Sequence, residues 1–596
     1  MSWLTMRRNM GIGLILLAGL LSACGSGGGG PSSPPGSAPG VLLHSPSGAD
    51  VPANAVISAI FSKPMNATAF TSTNVIVTAN GSPVAGALFF NAATNSVVFA
   101  PTPPLSHNTT YTVTIKAGVM DTSGIAMVND YTWSFTTTKS GSVDDSFGGG
   151  GGTGGSGGGG GSGIGAVAVT TQVSSEGSSE ARAVAFQQDG KIVVAGSACG
   201  SKDSTTGKCT NWDFALVRYT ADGVPDTNFG NAGIAITDIG QHDMAHAMAI
   251  DSQDRIVVAG FVGDGSGNND FALARYNPDG SLDISFDTDG IVTTDFGGND
   301  VSYALALDSN NNIIVAGFSG TTGAGQAYIF SDSAETKEII FGTNLTQAKF
   351  AVARYSANGT PDTTFNANGK VTTSIGIGSN ISIARAIALQ HGKIVVAGYA
   401  GDGSNSNFAL ARYEPNGTLD SSFGSNGAVT TTIASGKNSG ALAIAIQQDG
   451  NIVAAGNVES DSGNTDFALA RYNADGNLDT SFSADGKTTT RPGQGGKASA
   501  YAIALQGDGK IVAVGTASNG TDNDFAMVRY RNDNGSIDNG FGWGGVVLTP
   551  VRSGEDVAFA VVPQQSVDGK LRLIMAGRSR NAKTGYFDFA LVRYWQ

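Results

Sequence analysis

The sequence predicts an all-β protein: a β-sandwich, then a seven-bladed β-propeller closed by an N-terminal strand donated to its last blade. Three observations predict it. First, the dipeptide Arg-Tyr recurs at 218–219, 275–276, 354–355, 412–413, 471–472, 529–530 and 593–594. Second, an apolar run of the type I-V-V-A-G ends at Gly196, Gly260, Gly317, Gly398, Gly456, Gly515 and Gly577. Third, Asp-x-x-Phe recurs at Asp226/Phe229, Asp283/Phe286, Asp362/Phe365, Asp420/Phe423, Asp479/Phe482 and Asp538/Phe541, while one further copy, Asp144/Phe147, precedes the first complete unit. Interleaved series of equal period mark a repeat architecture. The composition agrees, since Gly 86 and 14% charged residues suit short strands joined by turns.

One unit reads as four strands: A (Ala181–Gln187), B (Lys191–Gly196), C (Asp213–Tyr219) and D (Gly233–Thr237). Each alternates small or apolar residues with others, as a half-buried strand does. Asp189-Gly190 between A and B is a two-residue hairpin signal, and the turn between C and D is rich in Asp and Gly. Four strands per unit match a propeller blade. The pattern "QxDGKIVVAG…DFALARYNxDGxLDxxFG" resembles the delta-60 repeat family, with copy three interrupted and Lys349 in place of the acid before Phe350. The resemblance implies the repeat and the fold, and that family carries no settled activity. The last unit stops after strand C, whereas "GIGAVAVTT" at 163–171 is a strand D with no blade of its own. Donating it to the last blade removes an exposed sheet edge. The propeller is therefore expected over 139–596, with the Gly-rich 148–163 a slack loop in the closing segment.

Residues 41–138 have another character, with short alternating segments such as Ala55–Phe61, Val97–Phe99 and Tyr111–Ile115 at sandwich spacing. "SPSGADVPANAVISAIFSKPMN", "LSHNTTYTVTIKAGVMDTSG" and "YTWSFTT" resemble the bacterial Ig-like domain of the S-layer type. The resemblance implies an Ig-like β-sandwich serving as a spacer or adhesion module. Trp133 and Phe135 alternate onto one face and read as core aromatics.

At the N-terminus, Arg7 and Arg8 precede an apolar run, Met10 to Leu21, of secretory length. It ends in Leu21-Ser22-Ala23-Cys24, which resembles the bacterial lipobox. The resemblance implies a signal peptide over 1–23, lipidation at Cys24 and anchoring to the cell envelope, at the outer membrane in a Gram-negative cell. Residues 24–40 are a Gly/Ser/Pro tether. Cys199 and Cys209, a close pair in an exported chain, read as a structural disulfide. A net charge of −14 argues against a nucleic-acid partner.

Successive strands reverse direction, so the B–C and D–A loops share one face, and these loops vary from blade to blade. Three candidate features sit there. The third B–C loop is long, 33 positions from Gly317 to Phe350, and its apolar runs put Tyr328, Phe330 and Phe341 on an expected projecting hairpin. The other reading is a neutral insertion packed on its own blade. Asp-rich loops offer Asp264, Asp270, Asp402, Asp461 and Asp466 as Ca²⁺ ligands, although none matches the EF-hand pattern and solvated turns explain them as well. No other cofactor is expected. Comparable positions on strand A are Arg182, His246, Tyr303, Arg385, Leu442, Tyr501 and Phe559. If they face the axis, they meet an anionic or sugar ligand; if they face the next blade, they are packing residues, and alternation does not choose. His242 and His246 have metalloprotease spacing but lack its Glu and its helix.

The expected function is a non-catalytic, monomeric surface lipoprotein, whose Ig-like spacer presents the propeller to a protein or glycan partner. The alternatives are a propeller hydrolase or lyase acting on an extracellular polysaccharide, and a scaffold for envelope assembly.

Overall fold

The computed structural model describes residues 37–51, 55–79, 81–102, 105–106, 109–137, 141–144, 147–148, 168–206, 208–264, 268–322, 345–376, 381–401, 405–565 and 571–595. Cys24, most of the tether, residues 149–163, Asp402, Tyr328, Phe330 and Phe341 lie outside them. The chain divides into two compact units, Met1–Thr137 and Thr138–Gln596.

The first unit is a sandwich of two sheets. One orders Val41–Ser45, Ile57–Phe61, Ser96–Pro101 and Gly86–Asn91; the other orders Gly48–Val51, Tyr131–Thr137, Thr110–Ile115, Val75–Ala79 and Ser82–Pro83. Alternation decides which face is buried. Ile57, Ala59 and Phe61, then Tyr111, Val113 and Ile115, then Trp133 and Phe135 all point inward. The intervening hydroxyls pair across the outer face, Thr110 with Thr136, Thr112 with Ser134 and Thr114 with Thr132. Trp133 is a core residue, and its Nε1 donates to the Pro46 carbonyl at 3.0 Å.

The second unit contains, among the described residues, seven four-stranded sheets. In the first, strands A to D are Ser179–Phe186, Ile192–Lys202, Cys209–Tyr219 and Ile234–Thr237, paired antiparallel in chain order. The last differs. Asp556–Gln565, Leu571–Arg580 and Phe587–Trp595 take Ala168–Thr171 as their fourth strand, with Ala168 opposite Val592 and Thr171 opposite Phe589.

The three sequence markers have one physical role each. The arginine of Arg-Tyr reaches the acid of Asp-x-x-Phe, as in Arg218–Asp226 at 2.9 Å, Arg275–Asp283 at 2.8 Å and Arg412–Asp420 at 2.6 Å. Its guanidinium lies over the marker phenylalanine, 4.7 Å from the Phe229 centroid and 4.6 Å from that of Phe423. A further N–H of Arg218 reaches the Pro278 carbonyl in the next blade. The tyrosine hydroxyl crosses to a strand-D threonine of the preceding blade, Tyr276 to Thr237 at 2.8 Å and Tyr413 to Thr373 at 2.9 Å. Both links recur where the chain ends meet: Arg593 bonds Asp144 at 2.9 Å and the first-blade carbonyl of Ala221 at 2.9 Å, and Tyr219 bonds Thr171 at 2.7 Å.

The glycine that ends I-V-V-A-G has a steric cause. In every blade the A strand carries one extra residue, so its register against strand B shifts, as between Ala181 and Ala183 or between Ala384 and Ala386. The bulge drives a strand-A carbonyl onto the glycine. A Cβ at Gly196 would lie 1.9 Å from the Glu180 oxygen, and at Gly398 1.9 Å from that of Ile383. No side chain fits there.

Two outcomes test this architecture. Asp144→Ala leaves Arg593, itself 1% exposed, without its carboxylate, and is expected to cost about 3–5 kcal/mol in chemical denaturation. Gly398→Ala is expected to lower the melting temperature sharply. Gly401→Ala in the same strand is not, because a Cβ there would meet nothing closer than 3.8 Å.

Candidate functional site

The bulge also answers which way the strand-A candidates face. Arg182, His246, Tyr303, Arg385, Leu442, Tyr501 and Phe559 are the extra residues of the seven blades, each standing at its register shift. An extra residue has no partner on strand B, and these side chains turn to one another around the axis. Tyr303 and His246 stack with centroids 4.8 Å apart, and the Arg385 guanidinium lies 4.0 Å over the Tyr303 ring. Arg182 lies 3.9 Å over Phe559, whose ring is 5.1 Å from that of Tyr501. All but Phe559 are half-buried, as residues lining an opening are.

The ring is two-sided. Blades one to four contribute Arg182, His246, Tyr303 and Arg385; blades five to seven contribute Leu442, Tyr501 and Phe559. Beside the first arc is Glu180, 4% exposed, which accepts from Arg182 at 2.7 Å and from Arg578 at 2.8 Å. Burial alone would raise its pKa; the two arginines outweigh it and hold the carboxyl at about 2. Glu180 is therefore an ionised anchor. His246 is lowered as well, but here burial acts in that direction: burial first, then the charges of Arg182 and Arg385, bring its imidazole down to about 3. Its Nδ1 lies 2.8 Å from the Ser302 carbonyl, which only accepts, so Nδ1 carries the hydrogen and Nε2 keeps its lone pair.

The other sequence candidates separate. Cys199 and Cys209 form a disulfide across the extended first B–C hairpin, with Cα atoms 5.7 Å apart. The loop acids do not gather within their loops. Asp461 pairs with Lys437 at 2.8 Å and Asp466 with Arg491 at 2.7 Å, so intramolecular cations take the role expected for Ca²⁺. Asp270 groups with Asp295 and Asp300 from neighbouring segments; Asp264 is outside that group. The side chain of His242 is half-buried with Nδ1 unpaired, and no histidine joins an acid cluster among the described residues.

Sequence reading missed Asp556, on the A strand of the last blade. Its Oδ2 accepts from the amides of Val551 at 2.7 Å and Arg552 at 3.1 Å, and the Ser579 hydroxyl stands beside the carboxylate. Burial pushes this carboxyl up to about 7, with nearby Asp524 adding repulsion.

The fold and markers define a two-part architecture, an Ig-like module followed by a repeat propeller. Residues 37–137 are a bacterial Ig-like domain, and segments 187–229, 254–286, 340–365, 392–423, 447–482 and 506–541 belong to the "domain of unknown function (DUF5122) beta-propeller" family. Five of those segments span strands B and C, the segment 340–365 covers strand C alone, and all six end on the Asp-x-x-Phe marker. The seventh copy is divided between Arg593 and Asp144, so no continuous segment contains it. No curated protein matches the chain. Among solved structures, the polysaccharide lyase Uly1 aligns at 11% identity and a TM-score of 0.39, covering 71% of this chain and 91% of its own. A neuraminidase-like protein of A/flat-faced bat/Peru aligns at 11% identity and 0.34, covering 72% and 94%. Sqt1 from Chaetomium thermophilum aligns at 10% identity and 0.32, covering 70% and 97%. These scores transfer no activity. The expectation of a non-catalytic protein is withdrawn, and likenesses this distant, a lyase and a neuraminidase-like protein among them, do not decide whether the chain is an enzyme.

Asp556 supplies a pH test. Its folded pKa lies above the unfolded 3.8, so its contribution to stability is full below about 4 and is lost as pH rises through about 7. Asp556→Asn, which imitates the protonated acid, is expected to raise the melting temperature at pH 8 and change it little at pH 4. Parallel wild-type and variant profiles would contradict this assignment.

Proposed function

We propose that the propeller binds an anionic polysaccharide through its axial ring and cleaves it by elimination next to a uronate carboxylate. The observation that carries this reading is the contiguous arc Arg182, His246, Tyr303 and Arg385 opposite an aromatic and aliphatic arc. A uronate presents a carboxylate on one side and C–H faces on the other, and the two arcs match them. The chain carries −14 overall, yet at the ring Arg182, Arg385 and Arg578 outnumber Glu180 and Glu555, so it is a local attractor for anions.

Hydrolysis fits less well. It needs two carboxyl groups flanking the bond, one of them protonated. The acid beside the ring, Glu180, is held ionised by two arginines. Elimination needs what the arc offers. Arg182 and Arg385 neutralise the carboxylate and so acidify the adjacent C–H; His246 Nε2 accepts that proton. The C–H electron pair forms the C=C bond as the glycosidic C–O bond breaks. The Tyr303 hydroxyl protonates the leaving oxygen, and solvent returns a proton from His246 to Tyr303. The free-state His246 is too weak a base. The arriving anion offsets the two arginine charges and raises its pKa toward the working range.

Export and lipid anchoring through Cys24 belong to the same proposal, with the Ig-like domain as spacer. The Cys199–Cys209 disulfide supports an oxidising compartment. No helix among the described residues is long and apolar enough to cross a membrane.

The test is release of unsaturated product, followed by ultraviolet absorbance, from a panel of uronate-containing and neutral polysaccharides. Turnover is expected on uronate chains alone, falling by about 10²-fold or more in His246→Ala and Arg385→Ala with melting temperatures retained. No turnover and no retardation of any anionic chain would refute the reading.

A further inference from the structure

The geometry points to two calcium sites between blades, one held by Asp213, Asp238 and Asp243 and the other by Asp270, Asp295 and Asp300. Each triad takes its first acid from strand C of one blade, its second from the residue after strand D, and its third from strand A of the next blade. Within each triad one oxygen per carboxylate lies within 4.8 Å of the others. Oxygens this close can share one divalent cation, and calcium is the ion that accepts several carboxylates in a flexible geometry. An all-oxygen donor set is the set a hard divalent cation takes.

A second observation separates these triads from ordinary surface acids. Asp243 and Asp300 are both 0% exposed. Asp243 Oδ2 accepts from the amides of Ile239 at 2.5 Å and Gly240 at 2.9 Å, and Asp300 Oδ2 accepts from Phe296 at 2.6 Å. The other oxygen of Asp243, Oδ1, is buried with no hydrogen-bond partner, while the Ser319 hydroxyl stands beside the Asp300 carboxylate. Asp213 has a Cβ-free neighbour, since a Cβ on Gly200 would lie 2.1 Å from its Oδ2. Without an ion, burial and mutual repulsion push Asp213 and Asp243 up to about 6. Asp238 and Asp295 are exposed, which gives an ion its way in.

In three of the remaining blades a cation of the chain itself stands at or against the same positions. Arg491 occupies the place of Asp238 and Asp295 and grips Asp466 at 2.7 and 3.0 Å. Lys349 occupies the place of Asp213 and Asp270 in the third blade. In the last blade, Asp588, at the register position of Asp213, takes Arg552 at 2.5 Å. Asp466 and Asp588 thus meet cationic side chains and Asp524 meets Asn519, whereas the first two blade junctions bring three acids together, the second with Lys370 nearby.

Calorimetric titration of the EDTA-treated full chain with CaCl₂ tests the assignment. Two ions per chain are expected, with a rise of several degrees in melting temperature. Asp238→Asn and Asp295→Asn alter exposed residues and are each expected to lose one ion; the double variant is expected to lose both and the thermal response. Absence of calcium binding in the wild type, or two ions still bound by the double variant, would overturn it.

Discussion

The approach of a strand-A carbonyl to a strand-B glycine is the contact on which the rest of this propeller depends. A Cβ in that place would sit 1.8–1.9 Å from the oxygen in all seven blades. Only a residue without one lets the innermost strand hold an extra residue. The extra residue has no cross-strand partner, so its side chain is released from the blade interface. Repeated around the ring, the same steric event assembles Arg182, His246, Tyr303, Arg385, Leu442, Tyr501 and Phe559 at one level. The site is thus a consequence of the repeat, and its chemistry is set by seven positions that the repeat leaves free to vary.

Closure rests on a second repeated interaction. Six Arg–Asp-x-x-Phe latches form within continuous segments; the seventh joins Arg593 to Asp144 and lays the guanidinium 4.7 Å over Phe147. A buried pair of this kind specifies geometry more than it stabilises, because desolvation offsets much of its attraction. Here it specifies which segment completes the last blade.

Much of the fold was legible because each marker is a local requirement repeated seven times. Arg-Tyr, the strand-end glycine and Asp-x-x-Phe each answer to a contact. The displaced strand at 163–171 could be read for the same reason, and its described part, Ala168–Thr171, pairs with the last strand. The direction of the ring residues was not legible. Alternation treats a strand as unbroken, and a bulge inverts the pattern without changing composition; the glycine opposite was the available signal, since a strand-interior glycine marks a bulge. The acid clusters were hidden for another reason. Reading along one loop groups Asp264 with Asp270, and Asp461 with Asp466, but the fold gathers acids from three segments of two blades and hands Asp461 and Asp466 to Lys437 and Arg491.

The Ig-like domain and the propeller therefore carry different kinds of information. The former is read through core aromatics such as Trp133 and Phe135, which say little about partners. The latter concentrates charge, aromatic surface and titratable groups at its axis. The most direct measurement of the central claim is a crystal structure of the protein with a uronate oligosaccharide. The account predicts density at the axis, with the carboxylate between Arg182 and Arg385 and a sugar face against Tyr501 and Phe559. An oligosaccharide bound elsewhere, with those side chains packed into the blade interfaces, would contradict it.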